Sequence, residues 1–399
     1  MHAEQAGFSH ERLDRLSRLL KGYVDRQDLP CASAVVARRG VTVYREKFGW
    51  QDLEAAKPIQ FDTIFRIMSM TKPVTAVAAM LLYEEGRFDL NTPIHRFLPA
   101  FKDMKVLLHR EKDGALQVEE ARAPVTFRHL FTHTSGISYG SLPDDPLDAL
   151  YMETLNPMDE SARATTIQSF VERLAKLPLA FQPGSRFRYG YNLDVLGALI
   201  EVIADMPLAD FLEARIFRPL GMVDTGFTLP HEKCNRLATV YGRDAQSGAF
   251  VRRDIPLPLP VQLWGGGGLV STLDDYAKFA AMLANRGAFD GLILLSPTTV
   301  AMFGLNWADP QSLPSFWENS PEINAGYGYS LGTAVLMDPA PTGRFGNPGE
   351  FYWGGAFSTY FWIDPKESLY GIFMTQFDPN WAYPIPWQFK QLVYQAMIH

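Results

Sequence analysis

The chain has 399 residues, 47% of them apolar and 20% charged, so it can bury a substantial core and lies far from the composition of disordered chains. Its 37 Lys and Arg against 44 Asp and Glu leave a formal charge of −7, which argues against a nucleic-acid binder. Cys31 and Cys234 are the two cysteines, too few for a disulfide framework or a four-cysteine zinc site.

Ser9 can cap a helix whose apolar positions Leu13, Leu16, Leu20 and Val24 recur at helical spacing. Residues 32–38 and 41–48 are β-prone runs joined at Gly40, the pattern of a hairpin. After Ser69-Met-Thr-Lys72-Pro73 an apolar run continues to Tyr83 and stops at Gly86, which predicts a buried helix. Charge density rises over residues 102–123, where Lys112-Asp-Gly-Ala has the form of an exposed hairpin turn. Residues 194–203 read as helix, and Thr272 can cap another that ends at Gly287. Strand-like runs follow at 329–336, 351–363 and 369–376, and residues 387–397 close the chain as a helix.

The order of these elements predicts an α/β (α+β) protein, with a discontinuous domain over residues 1–95 and 255–399 and a mostly helical insertion over 96–254. The apolar runs at 74–83 and 195–204 fall short of the roughly 20 residues that a membrane span needs. The amino end lacks the basic and apolar stretches of a secretory signal, so the expected location is cytoplasmic.

Ser69 and Lys72 stand three apart at the predicted helix start, where Pro73 is tolerated because a first-turn N–H needs no partner. That spacing puts both side chains on one helix face, so that the lysine can activate the serine hydroxyl. The free N–H groups of the helix end would favour an oxyanion beside it.

Three motifs occur in order along the chain: Ser69-x-x-Lys72, then Pro183-Gly-Ser-Arg-Phe-Arg-Tyr189-Gly-Tyr-Asn-Leu-Asp-Val-Leu-Gly197, then Tyr352-Trp353-Gly354-Gly355-Ala356. Together they resemble the serine β-lactamase and penicillin-binding-protein superfamily, most closely the class C β-lactamase-like family VIII carboxylesterases and related acyltransferases. Thr126-Phe-Arg-His-Leu-Phe-Thr-His-Thr-Ser-Gly136 and Gly265-Gly-Gly-Gly-Leu-Val-Ser-Thr272 extend the likeness over nearly the whole chain.

The resemblance implies an antiparallel sheet flanked by helices beside a mostly helical domain. It implies Ser69 as nucleophile, Lys72 and Tyr189 as the groups that share the base and acid roles, and an oxyanion hole from the N–H groups of Ser69 and Ala356. A phenol titrates near pH 10, so Tyr189 needs a nearby cation such as Lys72 to act at neutral pH. Trp353, Gly354 and Gly355 would face the substrate. Trp353 replaces the Lys-Thr of the β-lactamase strand motif with neither charge nor hydroxyl, which disfavours β-lactams and suits an apolar acyl or alcohol group. In the tyrosine motif the amide is displaced by one, to Asn192 after Tyr191, so no amide-binding role is carried to either residue.

Gly328-Tyr-Ser330-Leu-Gly332 matches the nucleophile elbow of α/β-hydrolases, but the one histidine after it is His399 and the following Thr-Ala-Val-Leu reads as strand rather than helix. His129 and His133, spaced i, i+4, lack the Glu of a zinc motif and a third ligand, and match a turn segment of the resembled family. The run Gly265–Gly268 lacks the Lys-Ser/Thr of a phosphate loop and is expected as a close-packed turn. Trp307, Phe316, Trp317, Trp381 and Trp387 either line an acyl pocket or pack beneath loops.

The expected activity is hydrolysis of short-chain carboxylic esters through a Ser69 acyl-enzyme, with a small-molecule substrate, no metal and no organic cofactor. Acyl transfer to another alcohol, D-amino-peptidase or amidase action and weak β-lactam hydrolysis are alternatives on the same site. A binding or sensor protein that does not turn over is the alternative of another class. Oligomeric state is not legible.

Overall fold

The computed structural model describes residues 2–142, 144–155, 165–256, 263–309 and 326–399. Its centre is an eight-stranded sheet drawn from both ends of the chain. β1 (Cys31–Arg38), β2 (Val41–Asp52) and β3 (Lys57–Pro58) come from the amino end. After β4 (Ile64–Arg66), the hairpins β5–β6 (Lys105–Arg110, Leu116–Glu120) and β7–β8 (Val240–Arg243, Phe250–Arg253), β9 (Val270–Thr272) and the short β10–β11 pair (Ala288–Phe289, Leu292–Ile293), the carboxyl end supplies the rest. These are β12 (Tyr327–Tyr329), β13 (Ala334–Leu336), β14 (Phe351–Gly354), β15 (Tyr360–Asp364) and β16 (Leu369–Met374). The order is β12-β13-β14-β15-β16-β1-β2-β3. Its neighbours pair antiparallel, with Ser33 opposite Met374 and Trp353 opposite Phe361.

Successive strand side chains point to opposite faces, and β15 shows what covers each. Phe361 meets Tyr276 of the Leu273–Ala284 helix at 5.3 Å between ring centroids, whereas Trp362 meets Phe389 of the Ile385–Ala396 helix at 5.3 Å. The His10–Asp25 helix, capped by Ser9 as expected, packs beside the Ile385–Ala396 helix. Both faces are thus sealed, which explains why every residue of β1, β15 and β16 is buried.

Two of the strand-like runs contain a turn. Residues 329–336 split at a turn where Ser330 N–H bonds Thr333 O and Gly332 takes φ +72°. Residues 351–363 split where Gly355 N–H bonds Thr359 O at 2.8 Å. In both, β-prone residues flank a glycine, and turn closure overrides strand propensity. The segment 96–254, expected as mostly helical, also carries β5–β6 and β7–β8. Among the described residues no helix is long and apolar enough to cross a membrane.

The buried helix expected after Ser69 runs from Thr71 to Glu84, with residues 71–82 all buried, and it packs against the Asn192–Ala204 helix. Apolar on all sides, it is a core helix that holds one end of the site rigidly.

β14 is moored from outside by a buried ion pair. Glu350, fully buried, accepts from Lys390, 2% exposed, and the Tyr394 hydroxyl, with one proton to give, lies 2.9 Å from Glu350 Oε2 and 2.6 Å from Asp364 Oδ2. Burial pushes the Glu350 carboxyl above its ordinary range, and Lys390 opposes that shift. Stranding a buried carboxylate costs about 3–5 kcal/mol, so Lys390→Met is expected to lower unfolding stability by that amount, read from the urea midpoint. Adding Glu350→Gln should restore much of the loss. An equal loss in single and double variants would assign the effect to packing of the lysine stem instead.

Candidate active site

Ser69 sits at a sharp turn. β4 pairs with β9, and the chain then reverses through Met68, whose φ of +47° is uncommon for a non-glycine residue, into the single 3-10 turn Met68–Met70 that leads into the Thr71–Glu84 helix. Three long-range ties pin it. Gln376 bonds both the N–H and the C=O of Arg66 (3.0 and 3.1 Å), Tyr276 Oη donates to Met70 O (3.0 Å), and Leu269 N–H donates to Thr71 Oγ1 (3.1 Å).

Lys72, one helical turn on, is completely buried. Its Nζ donates to Ser69 Oγ at 3.1 Å and to Gly266 O at 2.5 Å. It also lies 4.6 Å from the ring centroid of Tyr189 and 5.5 Å from that of Tyr139, so its charge is held partly by aromatic faces. The serine–lysine pairing and the helix start follow the spacing in the sequence.

Tyr189 reaches this lysine from the loop before the Asn192–Ala204 helix. The residue ahead of it anchors the loop: Arg188 donates to Asp148 (2.7 Å), Asp145 (2.9 Å) and Ser138 (2.8 Å). The indole N–H of Trp353 donates to the Tyr189 hydroxyl oxygen at 3.2 Å. Trp353 lacks charge and hydroxyl, as its sequence position indicates, yet it brings a hydrogen-bond donor to the phenol. Arg188 carried no sequence signal, because its carboxylate partners lie 43 and 40 residues away.

His133 packs 4.6 Å from the Tyr189 ring, with φ +55°. Its Nδ1 accepts from Gly190 N–H (3.3 Å) and meets Asn192 Nδ2 (2.9 Å), while Ser135 Oγ donates to Asn192 Oδ1 (2.5 Å). Burial first, and then the Lys72 charge, hold its ring well below the usual histidine range, hence neutral. Asn192 is thereby a fixture of the tyrosine loop.

The end of β14 abuts the Ser69 turn. A Cβ on Gly355 would lie 2.4 Å from Ile67 O and 2.2 Å from Thr359 Oγ1, so only glycine lets this strand end approach. Thr359 Oγ1 closes the junction on Ile67 O at 3.3 Å. Ala356, partly exposed, follows directly.

The other candidates lie apart in function. Ser330 is buried in the β12–β13 turn with its Oγ on Met302 O (3.1 Å), where no helix follows as an elbow requires. His129 caps its own helix, its Nδ1 accepting from Thr126 N–H at 3.2 Å. The Gly265–Gly268 run is the expected close-packed turn: a Cβ on Gly265 would lie 2.5 Å from Leu193 O. Trp381 and Trp387 stack at 5.7 Å, and the Trp307 indole N–H donates to Met302 O at 2.9 Å; Phe316 and Trp317 lie outside the described residues. The acidic residue that sequence reasoning passed over is Asp194, whose Oδ1 accepts from Gly266 N–H at 2.9 Å.

A hydroxyl hydrogen-bonded to a buried amine, with a phenol over the same amine, has the components of nucleophilic acyl chemistry. Comparison with known proteins shows the family. The family model described as Beta-lactamase matches residues 16–395. The chain is 31% identical to Esterase EstB of Burkholderia gladioli (90% of this chain, 89% of that one). It is 32% identical to monacolin J acid methylbutanoyltransferase of Aspergillus terreus (82% and 80%). The solved structure of EstCE1, a hydrolase with promiscuous acyltransferase activity, superposes with a TM-score of 0.80 at 26% identity, covering 96% of this chain and 98% of that one. With the fold, the site and these relatives in agreement, the chain belongs to the beta-lactamase family.

Proposed function

We propose that the protein is a serine carboxylesterase that cleaves short-chain esters through an acyl-enzyme on Ser69. The observation that carries this reading is the contact of Lys72 Nζ with Ser69 Oγ at 3.1 Å beneath the Tyr189 ring. Esterases and acyltransferases among the relatives support hydrolase or acyl-transfer chemistry in general.

In the proposed cycle Ser69 Oγ attacks the ester carbonyl as the Lys72–Tyr189 pair accepts its proton. The oxyanion rests on the N–H groups of Ser69 and Ala356, and the proton then passes to the leaving alcohol. Water repeats the sequence in reverse and frees the acid. The Trp353 N–H donates to the phenol oxygen and so stabilises negative charge that develops there. Acyl transfer is the second reading, favoured by the 32% identity to a methylbutanoyltransferase; it differs in the alcohol that replaces water. D-Amino-peptidase, β-lactamase and non-turnover readings have no comparable support, and Trp353 gives a substrate carboxylate no charged partner.

With p-nitrophenyl butyrate, Ser69→Ala is expected to lower kcat/KM by at least about a thousandfold, whereas Ser330→Ala should stay within about threefold of wild type. Full activity in Ser69→Ala would refute the assignment. Nitrocefin should be turned over far more slowly than the ester.

Trp353→Phe removes a hydrogen bond to a group that becomes charged, a loss of about 1.5–3 kcal/mol or roughly 10- to 150-fold in rate. Because the lost donor favours the phenolate, the ascending limb of the pH profile should also move to higher pH. A rate loss with an unmoved limb would mean that the indole acts by packing alone.

A further inference from the structure

The ammonium of Lys72 is completely buried and, among the described residues, forms no direct ion pair: it touches Ser69 Oγ, the Gly266 carbonyl and the faces of two aromatic rings. His133 is held neutral. Taking such a charge out of water is costly unless an opposite charge accompanies it. The structure holds one within reach. Asp194, 2% exposed, is the acidic residue in the first turn of the largely apolar Asn192–Ala204 helix. Its Oδ1 accepts from Gly266 N–H at 2.9 Å, and the carbonyl of that same residue accepts from Lys72 at 2.5 Å.

Gly266 is therefore gripped from both sides, by a carboxyl at its N–H and by the lysine at its C=O. The glycine run makes the fit possible. A Cβ on Gly266 would lie 2.5 Å from Asp194 Oδ2, and one on Gly265 would lie 3.3 Å from Gly197 Cα, so a side chain at either position would push this loop off the helix. The groups that interact with the carboxyl are Lys72 across the helix interface, Tyr139 from the loop above, and Tyr191 on its own helix; the two phenols are raised by burial and stay neutral near pH 7.

We propose that Asp194 is the buried counterion of Lys72, held to it through Gly266, and that it is a positioning residue that strengthens the hold of the Lys72–Tyr189 pair on its proton. This rests on the reading of Ser69 as nucleophile and adds the charge that tunes its base. Burial pushes the Asp194 carboxyl up to about 6 while Lys72 pulls it down, so the group is ionised at neutral pH and takes a proton as the pH falls through that value. A negative charge near the base raises the pH at which the base becomes available. Removing that charge lowers it, whether the acceptor is the lysine or the phenol.

The test is Asp194→Asn, which keeps an acceptor for Gly266 N–H and removes the charge. In kcat/KM for p-nitrophenyl butyrate, the ascending limb should shift to lower pH by about one unit, with a lower plateau from the weaker base. A lowered rate or melting temperature with an unmoved limb, or a shift to higher pH, overturns the proposal and leaves Asp194 a loop anchor. Ser69→Ala, measured beside it, separates the two readings: its full activity would sink the nucleophile assignment, whereas an inactive Ser69→Ala with an unmoved limb in Asp194→Asn sinks the counterion alone.

Should Asp194→Asn fail to fold, reciprocity supplies the second test. In protein carrying 13Cγ-labelled aspartate, the carboxyl that titrates anomalously high should titrate about one unit higher still in Lys72→Met, because its cation is gone. An unchanged midpoint overturns the proposal.

Discussion

A buried lysine ammonium is the constraint on which the rest of this site depends. Lys72 is placed by a helix that the core surrounds on every side, and its single charge must be accommodated without water. The surroundings meet that demand with a serine hydroxyl, a backbone carbonyl, two aromatic faces and, on the far side of Gly266, a carboxyl. Each partner arrives from a different part of the chain: the Ser69 turn, the glycine run, the tyrosine loop and the neighbouring helix. Packing those segments and forming the site are one event.

The same economy governs backbone approach. Met68 turns the chain with a positive φ, Gly355 lets β14 touch the residue before that turn, and Gly265 and Gly266 seat their loop directly on a helix. Such strain and close contact persist where the surrounding structure over-determines them. Here the ties from Gln376, Tyr276 and Leu269 do so. The Lys390–Glu350 pair plays the corresponding part behind β14.

The site also carries a cost in stability. Folding raises the Asp194 carboxyl from its ordinary value near 3.8 to about 6. A group raised in this way favours the folded state fully below its unfolded value and loses that contribution as the pH rises through about 6. A charge retained at neutral pH against this cost fits a part in the chemistry better than a part in holding the fold. It also explains why the residue is hard to see in the sequence, where it is one aspartate in an apolar helix, 72 positions from the glycine that it binds.

What was legible was local or patterned. Ser69 and Lys72 are one helical turn apart, so their contact follows from helix geometry, and the framing hairpin and helices follow from periodicity and caps. The Trp353–Tyr189 bond spans 164 residues and the Arg188 network about forty, distances over which spacing says nothing. The turns inside the runs at 329–336 and 351–363 were not legible because Gly332 and the Gly354-Gly355 pair stand among β-prone residues. The most direct measurement is covalent labelling with a p-nitrophenyl alkylphosphonate, which mimics the tetrahedral intermediate, followed by mass spectrometry of the digested protein. The expected result is one label per chain on the Ser69 peptide and none on Ser69→Ala; stoichiometric label on another residue, or equal labelling of Ser69→Ala, would contradict it.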